Sequence, residues 1–200
     1  MIHDLYFQVL NQLEKLDIPY VVIGAFAGSS YGVTRTTFDI DIVVDMTESH
    51  IQSLVDVFPA PRYYADQDQM RDSIRLGILF NIIDSSEGSK VDLIPLTMKP
   101  GYDFALTNRI RREAGSISGD TFEAWFARPE DVIIGKLMAW DEGRGYKHET
   151  DIRDILAAIK LEDDPELSAS FDVNYISDWT VFISEDVQEF WNILKQMADT

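Results

Sequence analysis

The stretch Ile23-Gly24-Ala25-Phe26-Ala27-Gly28-Ser29-Ser30-Tyr31-Gly32-Val33-Thr34-Arg35-Thr36-Thr37-Phe38-Asp39-Ile40-Asp41-Ile42-Val43-Val44 decides how this chain is read. An apolar run ends in glycine, small residues follow, and a second apolar run carries two acids. Tyr20 to Ile23 and Phe38 to Val44 predict two strands. The small residues between them suit a tight connection, with or without a helical turn. Side chains at i and i+2 of a strand share a face, so Asp39 and Asp41 project together and Phe38, Ile40 and Ile42 project oppositely.

Two carboxylates so placed repel, and the arrangement becomes favourable when a divalent cation binds between them. Magnesium suits the pair, because it takes hard oxygen ligands and keeps positions for water and phosphate. A third acid, Asp92, interrupts the apolar strand Lys90-Val91-Asp92-Leu93-Ile94. Three carboxylates on neighbouring strands could hold two metal ions about 4 Å apart, one activating a hydroxyl, the other stabilising phosphates and a leaving pyrophosphate. Asp92 is then a ligand only, or also the proton acceptor. The alternative is that these acids decorate the solvated face of an edge strand in a chain already rich in Asp and Glu.

Gly24 follows a strand directly, and Gly28 and Gly32 come at four-residue spacing. Such residues permit close backbone approach, either to a phosphate held by N–H groups or to a packed helix. Arg35 either contacts phosphate or pairs with a carboxylate to hold the loop.

Working outward, Leu5, Tyr6, Val9, Leu10, Leu13 and Leu16 recur at helical spacing. A helix over 48–57 precedes Pro59 and Pro61, and a polar stretch runs around Asp66 to Asp72. Strands at 76–83 and 90–96 flank the hairpin-like loop Asp84 to Ser89. A helix is predicted over 104–112, then a short strand pair near Ser116 and Phe122. After Arg128-Pro129 the pattern turns helical, at 130–140, 148–159, 175–183 and 187–197, with the acidic break Glu162-Asp163-Asp164-Pro165 between the second and third. The expected organisation is an α/β core over 1–127 and a helical region over 128–200 packed on it.

The 200 residues suffice for one sizeable core, and 46% hydrophobic with 26% charged residues is an ordinary globular composition. No apolar run is long enough to cross a bilayer, and the amino terminus lacks the pattern of a secretion signal, so a cytoplasmic protein without membrane partners is expected. With no cysteine, any metal must sit on oxygen or histidine, and His3, His50 and His148 are too scattered to build a site. The net charge of −18 opposes nonspecific binding of a long polyanion, although Lys99, Arg109, Arg111 and Arg112, then Arg144, Lys147 and His148, offer a local basic strip or a solvated face. Trp125, Trp140, Trp179 and Trp191 read as packing residues.

The order Gly24-Ala25, spacer, Asp39-Ile40-Asp41-Ile42 resembles the nucleotidyltransferase superfamily of the DNA polymerase beta type. More narrowly, Gly24, Ala27, Gly32, Arg35, Thr37, Asp39 and Asp41 resemble the minimal nucleotidyltransferases grouped with AbiEii-type toxins of type IV toxin-antitoxin systems. The segments Pro129 to Leu137 and Asp151-Ile152-Arg153-Asp154-Ile155 are similar to their later helical motif, so the resemblance spans about residues 20 to 160. It implies an α/β (α+β) fold, a nucleotidyltransferase-like mixed β-sheet flanked by helices and followed by a C-terminal helical region. It also implies Asp39, Asp41 and Asp92 for magnesium, with manganese as the alternative ion, and Lys136 with Asp151 as a second cluster facing the nucleotide. Ala25 departs from the pattern, standing where the superfamily usually carries Gly or Ser.

Read from the residues alone, Lys136 either borders the buried face of its helix and reaches a triphosphate, or is a surface lysine. Asp151 and Asp154 share a helix face and suit orienting Lys136 or Arg144, with plain solvation favoured for Asp154. The combined expectation is an enzyme that transfers a nucleoside monophosphate from a nucleoside triphosphate to a hydroxyl of RNA such as tRNA, a protein or a small molecule. Its catalytic residues are then Asp39, Asp41, Asp92 and Lys136, and its nucleotide-binding residues Gly24, Ala25, Arg35, Lys136 and Asp151. The alternative is a weak or inactive nucleotide- and metal-binding module in a toxin-antitoxin-like system with an antitoxin partner.

Overall fold

The computed structural model describes residues 2–37, 39–117 and 120–199, and the side chains of these except 2–4, 116–117, 120–121 and 199. The chain opens with α1 (Ile2–Lys15), β1 (Tyr20–Ile23), α2 (Gly24–Ser29), β2 (Asp41–Val44) and α3 (Glu48–Val57). There follow β3 (Tyr63–Tyr64), α4 (Gln67–Leu76), β4 (Phe80–Asp84), β5 (Ser89–Pro95), α5 (Asp103–Asn108), β6 (Ile110–Ile117) and β7 (Asp120–Phe126). The remainder is helical: α6 (Pro129–Gly143), α7 (Tyr146–Lys160), α8 (Pro165–Ser170), α9 (Val173–Ile183) and α10 (Glu185–Asp199).

These elements form two compact units, Met1–Ile23 with Thr37–Phe126, and Gly24–Thr36 with Ala127–Thr200. The first contains a mixed sheet in the order β3-β4-β5-β2-β1-β7-β6. β2 runs parallel to β5, β1 runs parallel to β7, and the other neighbours are antiparallel. All four residues of β1 are buried, as an interior strand covered on both faces requires. One face of α1 supplies Leu5, Tyr6, Val9, Leu10 and Leu13, each at most 2% exposed, so the helical spacing of those residues is their burial pattern.

In the second unit α6 is the central helix, its Val132, Ile133, Ile134 and Leu137 buried, with α7, α9 and α2 packed on it. Trp191 of α10 is 1% exposed and donates its indole N–H to Ser177 Oγ at 2.9 Å. Trp140 stacks on Phe190 with ring centroids 3.9 Å apart, in keeping with a packing role.

Several predicted elements shift. β2 begins at Asp41 rather than Phe38, and Phe38 lies outside the described residues. The Thr37 hydroxyl donates to the Asp39 carbonyl at 3.1 Å, and regular pairing with β5 is first met where the Asp92 N–H donates to the Ile40 carbonyl at 3.0 Å. The polar stretch after Asp66 is the helix α4, because Asp66 caps it by accepting from the Gln69 N–H at 2.7 Å and Gly77 closes it at φ 67°. β4 therefore starts at Phe80, not at residue 76. The helix predicted through Arg112 stops at Asn108, since Arg111 and Arg112 pair with Trp125 and Ala124 in the β6–β7 ladder. Within the acidic break, Asp164 caps the short α8, accepting from the Leu167 N–H.

Candidate functional site

The acids of the first unit are gathered by strand register. Asn81 of β4 stands opposite Asp92 of β5, which stands opposite Asp41 of β2. Directly opposed residues present side chains on the same face, so these three make one polar row across the sheet. Asp92 is 7% exposed, whereas Asp39, ahead of β2, is exposed. Lys90 lies two residues before Asp92 on the same face of β5. Its Nζ approaches Asp92 Oδ2 at 2.9 Å and Oδ1 at 3.2 Å, and Asp39 Oδ1 at 3.5 Å. Asn81 Nδ2 donates to Asp92 Oδ1 at 2.5 Å. The hydrogen bond to Asp92, opposed by partial burial and aided by the charges of Asp92 and Asp39, holds the Lys90 ammonium above the ordinary lysine range.

Asp41 and Asp92 offer hard oxygen donors on adjacent strands, and one cationic group already rests against Asp92 and Asp39. Among the described residues no three acids or histidines stand in metal-holding geometry. Asp41 and Asp92 are brought together by register, and Asp39 is tied to Asp92 through Lys90.

The second unit builds a separate cluster around Asp151 on α7, whose side chain is fully buried. Lys136 of α6 approaches Asp151 Oδ2 at 2.5 Å. Arg35 grips the same carboxylate with both prongs, Nε to Oδ1 at 2.7 Å and an Nη to Oδ2 at 2.9 Å. Burial works against ionisation of Asp151, but the hydrogen bonds and charges of Arg35 and Lys136 outweigh it and keep the carboxyl below its usual range. Two cations thus share one buried anion.

Of the alternatives left by the sequence, Arg35 takes the carboxylate pairing, and Lys136, 5% exposed, is not a surface lysine. Asp154, read as solvated, accepts from the backbone N–H and the hydroxyl of Thr34 at 3.3 and 3.4 Å. One face of α7 therefore clamps residues 34 and 35. Arg144 belongs elsewhere, bonded to Asp141 and Asp186.

Gly32, at φ 94°, lies so close to α7 that a Cβ there would be 2.7 Å from the Ala158 Cβ. At Gly28 a Cβ would stand 2.8 Å from Val33 Cγ2. Both are packing glycines. Gly24, at φ 71°, opens the single-turn α2, and Ala25 is buried.

Part of the expected basic strip is paired, Arg111 with Glu14 and Lys99 with Asp103 at 3.5 Å, while Arg109 rests over the Trp125 ring. Burial, then the charges of Lys136 and Lys147, push the His148 ring below its ordinary value. Sequence reasoning missed Lys90 and Asn81. Lys90 was within reach of the i, i+2 rule applied to Asp92, while Asn81 needed the strand order.

No protein-family model and no curated protein matches the chain. Among solved structures, the solution structure of the antibiotic-resistance factor ANT(2'')-Ia is similar at 16% identity and TM-score 0.49, over 86% of this chain and 91% of that one. The crystal structure of ANT(2'')-Ia with adenylyl-2''-tobramycin is similar at 17% identity and TM-score 0.49, over 86% and 97%. JHP933 from Helicobacter pylori is similar at 15% identity and TM-score 0.49, over 98% and 88%. Likeness at this level leaves the chemistry to be argued from the chain's own residues.

Proposed function

We propose that the chain is a metal-dependent nucleotidyltransferase, moving a nucleoside monophosphate from a nucleoside triphosphate to a hydroxyl acceptor. The observation that carries this reading is the register pairing of Asp41 with Asp92 on adjacent parallel strands, which sets two carboxylates side by side on one face. Asp39, Asp41 and Asp92 are assigned to the ion, magnesium or manganese. Such an ion, when bound, supplies charge neutralisation at the phosphates and lowers the pKa of a hydroxyl. The acceptor oxygen forms a bond to the α-phosphorus, the α–β bridging bond breaks and pyrophosphate departs. The hydroxyl proton passes to a carboxylate of the row, with Asp92 the assigned acceptor.

Lys136 and Arg35, held by Asp151, are assigned to the polyphosphate, because two cationic groups pre-ordered on one buried carboxylate suit an anionic ligand. The backbone at Gly24 and Ala25 is assigned to the same ligand. A net charge of −18 favours a protein hydroxyl or a small molecule over a long RNA as acceptor, whereas the toxin-like resemblance favours the tRNA end and an antitoxin partner.

Incubation with α-labelled nucleoside triphosphates, magnesium, and either total RNA or lysate tests the reading. Transfer of label that disappears in Asp41→Asn supports it; a folded protein that labels nothing under any condition sinks it. The second reading, a binding module with little turnover, is favoured by Ala25 and by the Lys90 contacts to Asp92. Calorimetry would then register triphosphate binding with no pyrophosphate released.

A further inference from the structure

We infer that Lys90 is a positioning residue that exchanges with the metal: its ammonium bridges Asp39 and Asp92 until a divalent cation displaces it from Asp92. The inference rests on the assignment of Asp92 to the ion. A carboxylate oxygen has two lone pairs, and Asp92 Oδ1 already receives Asn81 at 2.5 Å and Lys90 at 3.2 Å. The oxygen with capacity left is Oδ2, the one Lys90 holds more closely, at 2.9 Å. An ion bound to Oδ2 at about 2.0–2.1 Å would sit against a like-charged ammonium. The amide of Asn81 is neutral and can stay, whereas the lysine must leave. Its side chain is 42% exposed and has a flexible four-carbon stem, so it has somewhere to go.

The same contact explains how the acids tolerate one another. Asp39, Asp41 and Asp92 form a local concentration of negative charge, and Lys90 offsets it from within the same strand face. Metal binding then replaces one charge by two and releases Asp39 from its tether.

Binding of manganese ion, followed through the paramagnetic resonance of the free aquo ion, tests this with Lys90→Met, Lys90→Arg and Asp41→Asn. Lys90→Met should bind manganese about tenfold more tightly than the parent, the effect of one short-range unit charge in a half-solvated site. Lys90→Arg should stay near the parent, and the gain in melting temperature on adding manganese should be larger for Lys90→Met. Unchanged or weaker binding in Lys90→Met, with binding lost in Asp41→Asn, overturns the exchange and leaves the metal assignment standing. No manganese binding by the parent or by Lys90→Met overturns the metal assignment itself, and the exchange with it. Should the methionine variant fail to fold, the nitrogen resonance of the Lys90 ammonium decides: it should move to a solvated position as magnesium is titrated into the unaltered protein, and a stationary signal overturns the exchange.

Discussion

The Asp151 carboxylate answers to two cations from different parts of the sequence, and its removal strands both. Asp151→Ala takes the shared counter-charge from the 5%-exposed Lys136 and from Arg35. The expected loss in urea unfolding is about 3–5 kcal/mol, the usual consequence of breaking a buried ion pair from one side. The double change Lys136→Met with Asp151→Leu should recover most of that stability, since an apolar pair of similar volume is often tolerated. It should also bind no triphosphate, which separates the cluster's architecture from its assigned task. The pH dependence has a definite sign. The folded-state value of Asp151 is depressed, so its contribution is complete above the unfolded carboxylate value of about 3.9 and fades as pH falls through the folded value. The stability gap between the parent and Asp151→Asn, measured by urea titration, should be flat from pH 5 to 8 and narrow below about pH 4. At this scale the sequence was informative about charge type and silent about pairing. Arg35 seeking a carboxylate follows from elementary electrostatics; that the carboxylate is Asp151, 116 positions on, depends on how α7 packs.

At the level of elements, Gly32 marks where loop and helix touch. Gly32→Ala meets both a left-handed backbone at φ 94° and the Ala158 Cβ at 2.7 Å, so a loss of about 2–3 kcal/mol is expected in chemical denaturation. Ala158→Gly should restore the steric part and leave the backbone part. Asp66→Ala should cost about 1 kcal/mol and speed amide exchange in the first turn of α4. The helix α3 was legible to its ends because Thr47 and the apolar spacing of Ile51 and Leu54 agree. α4 was not, because it is short and polar in composition and buries only Met70 and Ser73, which leaves its Asp66 and Gly77 caps as the plainer signal. The strand pair near Ser116 and Phe122 was legible, but the start of β6 was not: Arg109 to Arg112 is locally compatible with a helix, and a tertiary ladder overrides that preference.

For the molecule as a whole, charge is the dominant legible property. With 35 acidic against 17 basic residues the folded chain repels itself, so raising sodium chloride from about 0.01 M to about 0.5 M should raise the melting temperature by several degrees in a calorimetric scan. Immobilised duplex DNA should not retain the protein at about 0.15 M salt, because little counterion release is available to drive binding. The mixed sheet and the helical remainder follow from the change of hydrophobic period after Arg128. The order of strands does not, since parallel pairing of β2 with β5 and of β1 with β7 is decided by crossovers that local pattern cannot encode. Tyr31, which bonds the Ala127 carbonyl, Gly32, Thr34 and Arg35 all belong with helices that come a hundred residues later, while the strands on either side of them belong with the sheet. A chain cut after Phe126 would therefore join its acidic motif to a loop stripped of its supports.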